Sequence, residues 1–572
     1  MIRRNLAAEL ASAATRAPAI TLTGPRQSGK TTLCQSVFPE HPYVSLEFPD
    51  DRVFAMDDPR AFLAQFPEGV ILDEVQRAPD LLSYLQGIID NDPAPGRWIL
   101  SGSQNFSLLE SVSQSLAGRT EVHQLLPLTW DEIGRFAEHP ANLEEVLFSG
   151  GYPRIFDQKL EPSVWLRSYV ATYLERDVRT LSNIGDLITF QRFVELCAGR
   201  TAQLLNYSSL ANDCGISQPT ARAWLGILEA SYITFRLPAF SANLRKRLIK
   251  MPKLYFYDTG LACWLLGIRQ AEQLHSHPLR GAIFETWVIS EILKHRIHRG
   301  MGTSTMHGLS FYRDKNGAEV DLLMEQPDRL ILLEAKSTET PSKSLLDGAR
   351  RVRRHLKDSS RDCDVAVAYG GKEFQQRTDG RLIPWRMLRV VALPDIKPSV
   401  YVFADGEPLA GADVLTLFPN KTWKRGITGE NGEAHFDLYA HALPMTVFVA
   451  AKGFTAQLVE AWIPAEQALH IDMTALSGGG AVIFEKATGY IPGLAGRLNP
   501  IRDNLDRTYL YADNIAINGG KQQPVSFLPG EKMYLKDANG KEMLVRIVDI
   551  IGHSALAEYH PYPPFDRAAN IS

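Results

Sequence analysis

The sequence has few cysteines and no long hydrophobic run. Its five cysteines include no CxxC pair, which argues against a disulfide framework or a zinc site and favours a reducing compartment. A membrane-spanning helix needs about 18 or more consecutive apolar residues, and no such run occurs. The N-terminus is basic, but Glu9, Arg16 and Pro18 interrupt the segment that follows. We therefore expect no signal peptide, no membrane contact and a cytoplasmic location.

Neither sign of charge is in large excess. The net charge is −4 over 572 residues, so any contact with nucleic acid must come from a local basic patch. Apolar residues make up 45% and charged residues 22% of the chain, as in ordinary folded proteins. A chain of this length predicts about three to five domains.

Apolar segments alternate with helical patterns in the N-terminal part of the chain. This alternation predicts a parallel α/β sheet covered by helices on both faces. The predicted strands are Ala19–Gly24, Tyr43–Phe48, Gly69–Asp73, Arg97–Gly102 and Glu121–Leu126.

The first predicted strand leads into a glycine-rich string of the form G-x-x-x-x-G-K-T. A strand before this string and a helix after it are the context of a phosphate-binding loop. Backbone N–H groups and the helix N-terminus hold phosphate oxygens, Lys30 reaches the β- and γ-phosphates, and the Thr31 hydroxyl binds Mg²⁺. We therefore predict that ATP is bound by Gly24, Pro25, Arg26, Gln27, Ser28, Gly29, Lys30, Thr31 and Thr32.

The third predicted strand ends in two carboxylates, Asp73 and Glu74. We predict that Asp73 holds Mg²⁺, directly or through water, and that Glu74 polarises the attacking water. Ser103 or Gln104, after the next strand, is a candidate sensor of the γ-phosphate. For a transition-state arginine the candidates are Arg119 and Arg154, and the sequence does not choose between them.

These motifs together resemble those of the bacterial and archaeal AAA+ ATPases that carry a C-terminal restriction-endonuclease-like domain. The resemblance extends over about residues 1–390. It implies an ATPase domain, a winged-helix region and a nuclease-like domain of the PD-(D/E)XK type. The matching strings are Leu22–Thr32, Ile71–Gln76, Leu100–Ser103, Gly150–Pro153 and Tyr169–Asp177.

The expected fold is multidomain. We predict an α/β P-loop NTPase (AAA+) domain, a helical and winged-helix region, an α/β restriction-endonuclease-like domain, a β-sandwich similar to carboxypeptidase regulatory domains, and a small β-rich domain. The predicted boundaries, in that order, are 1–155, 156–275, 276–394, 395–476 and 477–572.

The middle region contains a helix-turn-helix pattern, Tyr207–Asp213 followed by Ser217–Glu229. Predicted strands at Tyr232–Phe235 and Lys253–Tyr257 flank a run of four cations without an acid, residues 245–250. A basic wing beside a recognition helix contacts DNA phosphates. Alternatively, the winged helix only braces the ATPase. The candidates for base contacts are Gln218, Thr220 and Arg222.

A second group of acids lies on a predicted hairpin with its turn near Pro327–Asp328. This turn would bring Asp321 opposite Glu334, and Lys336 shares the Glu334 face. Two carboxylates and a lysine can bind Mg²⁺ and position water, as in the D-(x)n-E-x-K signature of restriction-endonuclease-like enzymes. Glu285, on a preceding helix, could add a metal ligand. The site is predicted to be either a Mg²⁺-dependent nuclease centre or a retained fold without turnover.

The C-terminal part has short alternating strands and Gly, Asn and Asp turns, with Ser477–Gly480 as a predicted joint between two β domains. No catalytic group is evident there, so we expect this tail to bind a protein partner or to mediate self-association.

The leading functional hypothesis is an ATP-hydrolysing protein that acts on DNA through the winged helix and the nuclease-like domain, with ATP and Mg²⁺ as cofactors. The alternative is an ATP-dependent regulatory switch or scaffold in which the nuclease-like domain is inactive and binds a partner. A motor that remodels proteins is less favoured, because we identify no pore-loop signal.

Overall fold

The computed structural model describes most of the chain, in two compact units, Met1–Ala392 and Leu393–Ser572. No helix in the described part is both long enough and apolar enough to cross a membrane. The described residues are 2–103, 115–172, 186–240, 251–301, 308–314, 317–326, 329–356, 362–392, 399–418, 422–436, 444–464 and 468–562.

A five-stranded parallel sheet lies at the centre of the N-terminal part. Its strands are β1 (Ala19–Thr23), β2 (Tyr43–Ser45), β3 (Val70–Asp73), β4 (Trp98–Gly102) and β5 (Thr120–Gln124). The order across the sheet is β2-β3-β4-β1-β5. Every residue of β1, β3 and β4 is buried, as expected of a sheet that is covered on both faces. The five strands predicted from the sequence are confirmed, with ends shifted by a few residues.

Successive strand residues point to opposite faces of this sheet and contribute to two separate cores. Ile20 packs with Leu33 on one face, and Ala19 packs with Leu82 and Leu85 on the other. The helices of this part are α1 (Ala7–Ala13), α2 (Lys30–Val37), α3 (Pro49–Asp57), α4 (Pro59–Ala64), α5 (Leu81–Asn91), α6 (Trp130–Ile133), α7 (Leu143–Ser149), α8 (Pro153–Asp157) and α9 (Pro162–Tyr169).

The middle region combines helices with a small antiparallel sheet of order β6-β8-β7. Its elements are α10 (Leu187–Ala198), β6 (Gln203–Leu204), α11 (Tyr207–Cys214), α12 (Gln218–Ala230), β7 (Thr234–Leu237), β8 (Lys253–Phe256) and α13 (Thr259–Leu265). The Ser217 side chain accepts a hydrogen bond from Thr220 N and so caps α12, as the sequence predicts. The basic run at 245–250 lies outside the described residues.

The third region is a six-stranded mixed sheet with helices on both faces. Its elements are α14 (Arg280–Ile297), β9 (Leu309–Arg313), β10 (Glu319–Glu325), β11 (Arg329–Lys336), α15 (Asp347–His355), β12 (Asp362–Tyr369), β13 (Gln375–Arg377), β14 (Gly380–Pro384) and α16 (Arg389–Ala392). The order is β13-β14-β12-β11-β10-β9. Strands β10 and β11 are antiparallel, with Leu322 opposite Leu333. The predicted pair of strands is thus confirmed, while Pro327–Asp328 lies outside the described residues.

In the described part of Leu393–Ser572, all the regular secondary structure consists of β-strands. The first set is β15 (Ser399–Ala404), β16 (Glu407–Pro408), β17 (Asp413–Leu417), β18 (Trp423–Ile427), β19 (Glu433–His435), β20 (Met445–Ala450), β21 (Lys452–Phe454), β22 (Gln457–Trp462) and β23 (Leu469–Met473). The second set is β24 (Ala475–Phe484), β25 (Arg497–Arg502), β26 (Thr508–Asp513), β27 (Ile515–Ile517), β28 (Val525–Phe527), β29 (Lys532–Asp537), β30 (Glu542–Ile551) and β31 (Ser554–Pro561).

The predicted joint at Ser477–Gly480 is wrong, because these residues lie inside β24. A Cβ atom at Gly479 would lie 2.4 Å from Tyr559 O, and one at Gly480 would lie 3.0 Å from Lys452 Cα. Glycine is therefore present because neighbouring strands approach closely, and not because the segment is a linker.

Candidate functional site

The loop between β1 and α2 has the backbone conformation that its glycines permit. Gly24 and Gly29 have φ values of 150° and 91°, and Gln27 has a φ of 62°. A Cβ atom at Gly24 would lie 2.2 Å from Leu125 O, so only glycine fits there. The loop delivers Lys30 to the first position of α2. Backbone N–H groups at such a helix start form an anion-binding site.

Lys30 is buried. Among the described residues, its ammonium donates hydrogen bonds only to atoms of the loop itself. Its Nζ donates to Gly24 O at 3.0 Å and to Pro25 O at 2.9 Å. Burial lowers the pKa of Lys30 to about 8, although Glu74 and Asp73 oppose this shift. A buried ammonium that contacts only carbonyl oxygens is poorly compensated. An incoming anion would therefore find a strong attraction here.

Asp73 lies beside the loop at the end of β3. Its Oδ2 accepts hydrogen bonds from Thr31 Oγ1 at 2.7 Å and from the Tyr43 hydroxyl at 2.9 Å, and Ser101 Oγ donates to Oδ1. Strand β4 lies between β1 and β3, which explains how Ser101 reaches this carboxylate. The predicted partners Thr31 and Asp73 thus lie in contact.

Glu74 follows Asp73 in a left-handed backbone conformation, with φ at 54°. This conformation is uncommon for a non-glycine residue and turns the chain sharply at the strand end. Glu74 Oε2 accepts a hydrogen bond from Ser103 Oγ at 3.1 Å and another from the Gln76 side chain. Of the two predicted sensor residues, Ser103 therefore contacts Glu74, and Gln104 lies outside the described residues.

A cavity of about 760 Å³ opens over this loop, within the usual range for ligand sites. Residues lining it include Arg26, Lys30, Thr32, Glu74 and Arg154. Arg154, on α8, is one of the two candidate transition-state arginines. The other, Arg119, precedes β5 at the opposite sheet edge and pairs with Asp90 at 2.5 Å and 2.9 Å.

Arg4 is a cavity residue that the sequence analysis missed. Its guanidinium donates to Ser28 O at 2.7 Å, to Leu126 O at 2.8 Å and to Glu132 Oε1 at 2.9 Å. Burial alone would raise the pKa of Glu132, but Arg4 and the nearby His298 outweigh it and hold this pKa well below its usual value. Arg4 thus ties the phosphate loop to the segment after β5. Its position near the N-terminus, far from the motif, gave no signal in the sequence.

The acids predicted from the hairpin converge in the third region. Asp321 Oδ2 accepts a hydrogen bond from Ala335 N at 2.9 Å, which joins β10 to β11 next to Glu334. Lys336 Nζ lies 2.8 Å from Glu334 Oε2. Glu285, on α14, accepts a hydrogen bond from the Tyr255 hydroxyl at 2.7 Å. Burial, together with Asp321, raises the pKa of Glu285 to about 7.

A lysine from the middle region enters this group of acids. Lys253, at the start of β8, places Nζ 2.8 Å from Glu319 Oε1, 3.1 Å from Glu285 Oε1 and 3.6 Å from Asp321 Oδ1. We call Glu285, Glu319, Asp321 and Lys253 the Lys253 cluster. In the described part of the chain, no group of three or more His, Cys, Asp or Glu residues is arranged to hold a metal ion. Sequence reasoning missed Lys253 because its hydrophobic strand context predicts only a core strand.

The helices predicted to contact DNA lie at the surface of the middle region. Gln218 and Arg222 on α12 are exposed, and Thr220 is partly buried. The Arg222 guanidinium carbon lies 4.8 Å from the centre of the Tyr207 ring.

Three family models match consecutive parts of the chain. The model described as AAA domain matches residues 16–134. Two models described as domains of unknown function, DUF8612 and DUF4143, match residues 140–272 and 280–388.

Two curated relatives match the chain over much of their length. The uncharacterized proteins Rv2008c of Mycobacterium tuberculosis and Mb2031c of Mycobacterium bovis are each 33% identical over 374 residues, which is 65% of this chain and 80% of theirs. The 3' cyclic ADP-D-ribose synthase AaTIR of Aquimarina amphilecti is 32% identical over 160 residues, or 27% of this chain and 47% of its own.

Among solved structures, the Walker-type ATPase PABY2304 of Pyrococcus abyssi gives a TM-score of 0.30 at 17% identity, covering 46% of this chain and 95% of that one. This score is too low to establish a shared overall fold.

Proposed function

This chain belongs to the protein family of Rv2008c and Mb2031c, and we propose that it binds and hydrolyses ATP at the loop formed by residues 24–31. The AAA domain within residues 16–134 contains the whole of this loop and both carboxylates, Asp73 and Glu74. The observation that carries the proposal is the buried Lys30 ammonium. It lies beneath the cavity, and its hydrogen-bond acceptors among the described residues are the carbonyl oxygens of Gly24 and Pro25.

In this proposal, the residues around the cavity have different roles in hydrolysis. Lys30 and the loop N–H groups bind the phosphates, and Glu74 orients the attacking water and accepts its proton. Arg154 faces the same cavity and would stabilise negative charge as it develops. Ser28 Oγ is buried in the loop without a hydrogen-bond partner among the described residues, which is consistent with a donor kept for a phosphate oxygen.

The hydroxyl of Thr31 and the carboxylate of Asp73 suit Mg²⁺, which prefers oxygen ligands. Both oxygens lie at the mouth of the loop and already contact each other. Bound there, Mg²⁺ would neutralise phosphate charge. Tyr43 and Ser101 fix the orientation of Asp73, as partners behind a metal ligand usually do.

ATP turnover in purified variants tests this proposal. Lys30→Ala is expected to lose nucleotide binding and hydrolysis together. Glu74→Gln is expected to keep binding and lose turnover, because it retains the shape of the side chain but not the base. Arg119→Ala is the matched control, since Arg119 pairs with Asp90 on α5 and is not among the residues that line the cavity. Undiminished turnover in Lys30→Ala would reject the assignment.

A second proposed activity is DNA binding through the middle region as a winged helix. Helices α11 and α12, followed by an antiparallel sheet, support this interpretation. The exposure of Gln218 and Arg222 at the start of α12 favours it over a purely internal brace. We expect DNA affinity to fall with salt and to decrease when Arg245, Lys246 and Arg247 are neutralised. Unchanged affinity in that variant would leave the region as a brace.

The third region supports two alternatives. In one, Asp321, Glu334 and Lys336, with Glu285, form a Mg²⁺-dependent nuclease centre of the restriction-endonuclease type. In the other, the domain does not cut and ATP binding changes its contacts with a partner. The ion pairs of Lys253 favour the second. Nuclease assays of wild type and Glu334→Ala, with and without ATP, separate them, since only the first predicts Mg²⁺-dependent cutting that Glu334→Ala abolishes.

In the described part of the β tail, no group of three or more His, Cys, Asp or Glu residues is arranged to hold a metal ion. We propose that the tail binds a protein partner or mediates self-association. Sedimentation of the full chain and of a chain ending at Ala392 separates the two alternatives. If the tail mediates self-association, only the full chain should form oligomers without a partner.

A further inference from the structure

We propose that the ammonium of Lys253 is the resident cation of the Lys253 cluster, so that in this conformation the three carboxylates of the cluster bind no divalent metal. The inference concerns a different site from the ATP loop and does not depend on ATP hydrolysis. It begins from geometry. Three carboxylates from α14 and β10 converge on one point, and Lys253 Nζ occupies that point.

The distances suit an ammonium and not a metal. Nζ lies 2.8 Å from Glu319 Oε1 and 3.1 Å from Glu285 Oε1, which are N–H···O hydrogen-bond distances, and 3.6 Å from Asp321 Oδ1, which is an ion-pair distance. Mg²⁺ would require oxygens at about 2.0–2.1 Å and Ca²⁺ at about 2.3–2.6 Å. The three carboxylates would have to close around a metal after the ammonium had left.

Other groups of the chain also contact these acids. Asp321 Oδ2 accepts a hydrogen bond from Ala335 N, and Glu285 Oε1 also accepts one from Tyr255. The neighbouring Glu334 pairs with Lys336, and Glu319 lies 3.6 Å from the guanidinium of Arg313. The acids are therefore nearly balanced by cations of the chain. A divalent ion added to this arrangement would have to displace a positive charge.

Lys253 cannot leave by a change of its side-chain rotamer alone. Its side chain is only 4% exposed, and every residue of β8 is buried. Strand β8 is hydrogen-bonded to β6 on one side and to β7 on the other. The chain after β7 pairs in turn with Phe311 of β9. Removing the ammonium would thus require the middle sheet to move away from the third region.

The electrostatics of the site keep the ammonium charged. Burial lowers the pKa of Lys253, but Glu285, Asp321 and Glu319 outweigh it and raise the pKa above its usual value. This domain should fold without metal, and chelators should not destabilise it.

Cation binding to the full-length chain tests the inference. Mn²⁺ binding is counted by electron paramagnetic resonance of the free ion, without nucleotide, in wild type, Asp321→Asn, Lys253→Met and Lys253→Met/Asp321→Asn. Any Mn²⁺ bound near the ATP loop is common to all four and cancels in the differences. Tb³⁺ provides a second readout, because Tyr255 contacts Glu285 and can sensitise the emission of a lanthanide bound beside it.

Lys253→Met is expected to gain one cation per chain, bound at least tenfold more tightly than any cation at this site in wild type. The gain and the sensitised emission should both disappear when Asp321→Asn is added. Lys253→Arg keeps the positive charge and should gain no site. If Lys253→Met folds only when Mn²⁺ or Ca²⁺ is present, that result also supports the inference.

Two results would overturn it. One is a wild-type chain that already binds a cation which Asp321→Asn removes. The other is a folded Lys253→Met, with wild-type circular dichroism, that gains no cation. The wild-type comparison with Asp321→Asn remains decisive even if Lys253→Met does not fold under any condition.

Discussion

Two buried lysines, Lys30 and Lys253, lie beside acidic residues in the same compact unit, yet their surroundings differ. Lys30 donates to the carbonyl oxygens of Gly24 and Pro25, and burial lowers its pKa to about 8. Lys253 contacts three carboxylates, which raise its pKa despite its burial. The first charge is poorly compensated by the protein, and the second is fully compensated.

We call the Lys30 site open, because a ligand can still compensate its charge, and the Lys253 site closed, because carboxylates of the chain already do so. A buried cation without an anionic partner stores unfavourable free energy that an anionic ligand can relieve. A buried cation already matched by carboxylates gives a ligand nothing to relieve, and removing it leaves uncompensated negative charge. The two lysines should therefore respond in opposite ways to the same substitution.

Lys30→Met carries the largest expected effect. ATP hydrolysis should fall by at least about 100-fold, as when a preorganised charge that contacts the transition state is removed. The free energy of unfolding of the nucleotide-free protein should not fall by more than about 0.5 kcal/mol, because the lost ammonium is poorly compensated. Turnover by malachite-green assay and urea unfolding measure the two quantities. A clear loss of stability would mean that Lys30 has a structural partner in the free protein.

Lys253→Met should show the reverse pattern. Breaking a buried ion pair by removing one partner typically costs about 3–5 kcal/mol, and here the carboxylates of Glu285, Glu319 and Asp321 lose their shared cation. Urea unfolding without metal measures the loss, and Lys253→Arg is the control that keeps the charge. ATP affinity and turnover should stay within about twofold of wild type. A variant as stable as wild type would contradict the closed-site interpretation.

The pH dependence of nucleotide binding distinguishes the same two lysines. Phosphate anions would raise the pKa of Lys30 from about 8, so binding above this pH takes up a proton. Affinity should then fall as pH rises from about 8 to 10, by up to about tenfold per unit. Over the same window, the free energy of unfolding of the free protein should rise with pH, because the unfolded chain still binds a proton at Lys30 up to its pKa near 10.5 and the folded chain does not.

Calorimetry of nucleotide binding in buffers of different ionisation enthalpy measures this proton uptake. The stability loss in Lys253→Met should grow as pH rises above about 7, because Glu285, whose pKa is about 7 beside Lys253, then loses the cation that favours its charged form. A nucleotide affinity independent of pH would show that Lys30 is already fully charged in the free protein.

The backbone path of the loop at residues 24–31 could be predicted from the sequence, because its residues are contiguous and its glycines serve one local conformation. Asp73 was predictable because the end of a parallel strand places it at the same sheet edge. Lys253 was not predictable, since it reaches the acids of β10 only through the packing of two regions. Arg4 was missed for the same reason. At Ser477–Gly480, glycines that allow neighbouring strands to approach closely have the same composition as a flexible linker.

A smaller prediction tests whether the two lysine sites are mechanically linked. The Tyr232 hydroxyl, from the chain segment before β7, donates to Thr23 Oγ1 at 2.8 Å, immediately before the ATP loop. The region of the small sheet that holds Lys253 is thereby joined to strand β1, which ends at Thr23. A buried hydrogen bond of this kind contributes about 0.5–1.5 kcal/mol, so Tyr232→Phe should lower the free energy of unfolding by that amount.

A double-mutant cycle with Thr23→Val isolates this contact. If the hydrogen bond is real, the double variant should lose less stability than the sum of the losses in the two single variants. The same cycle, run on ATP affinity, tests the link. A change of about threefold or less means that the hydrogen bond braces the loop while the sites act separately. A larger change, also seen in the metal-free Lys253→Met variant, would mean that the closed site sets the geometry of the open one.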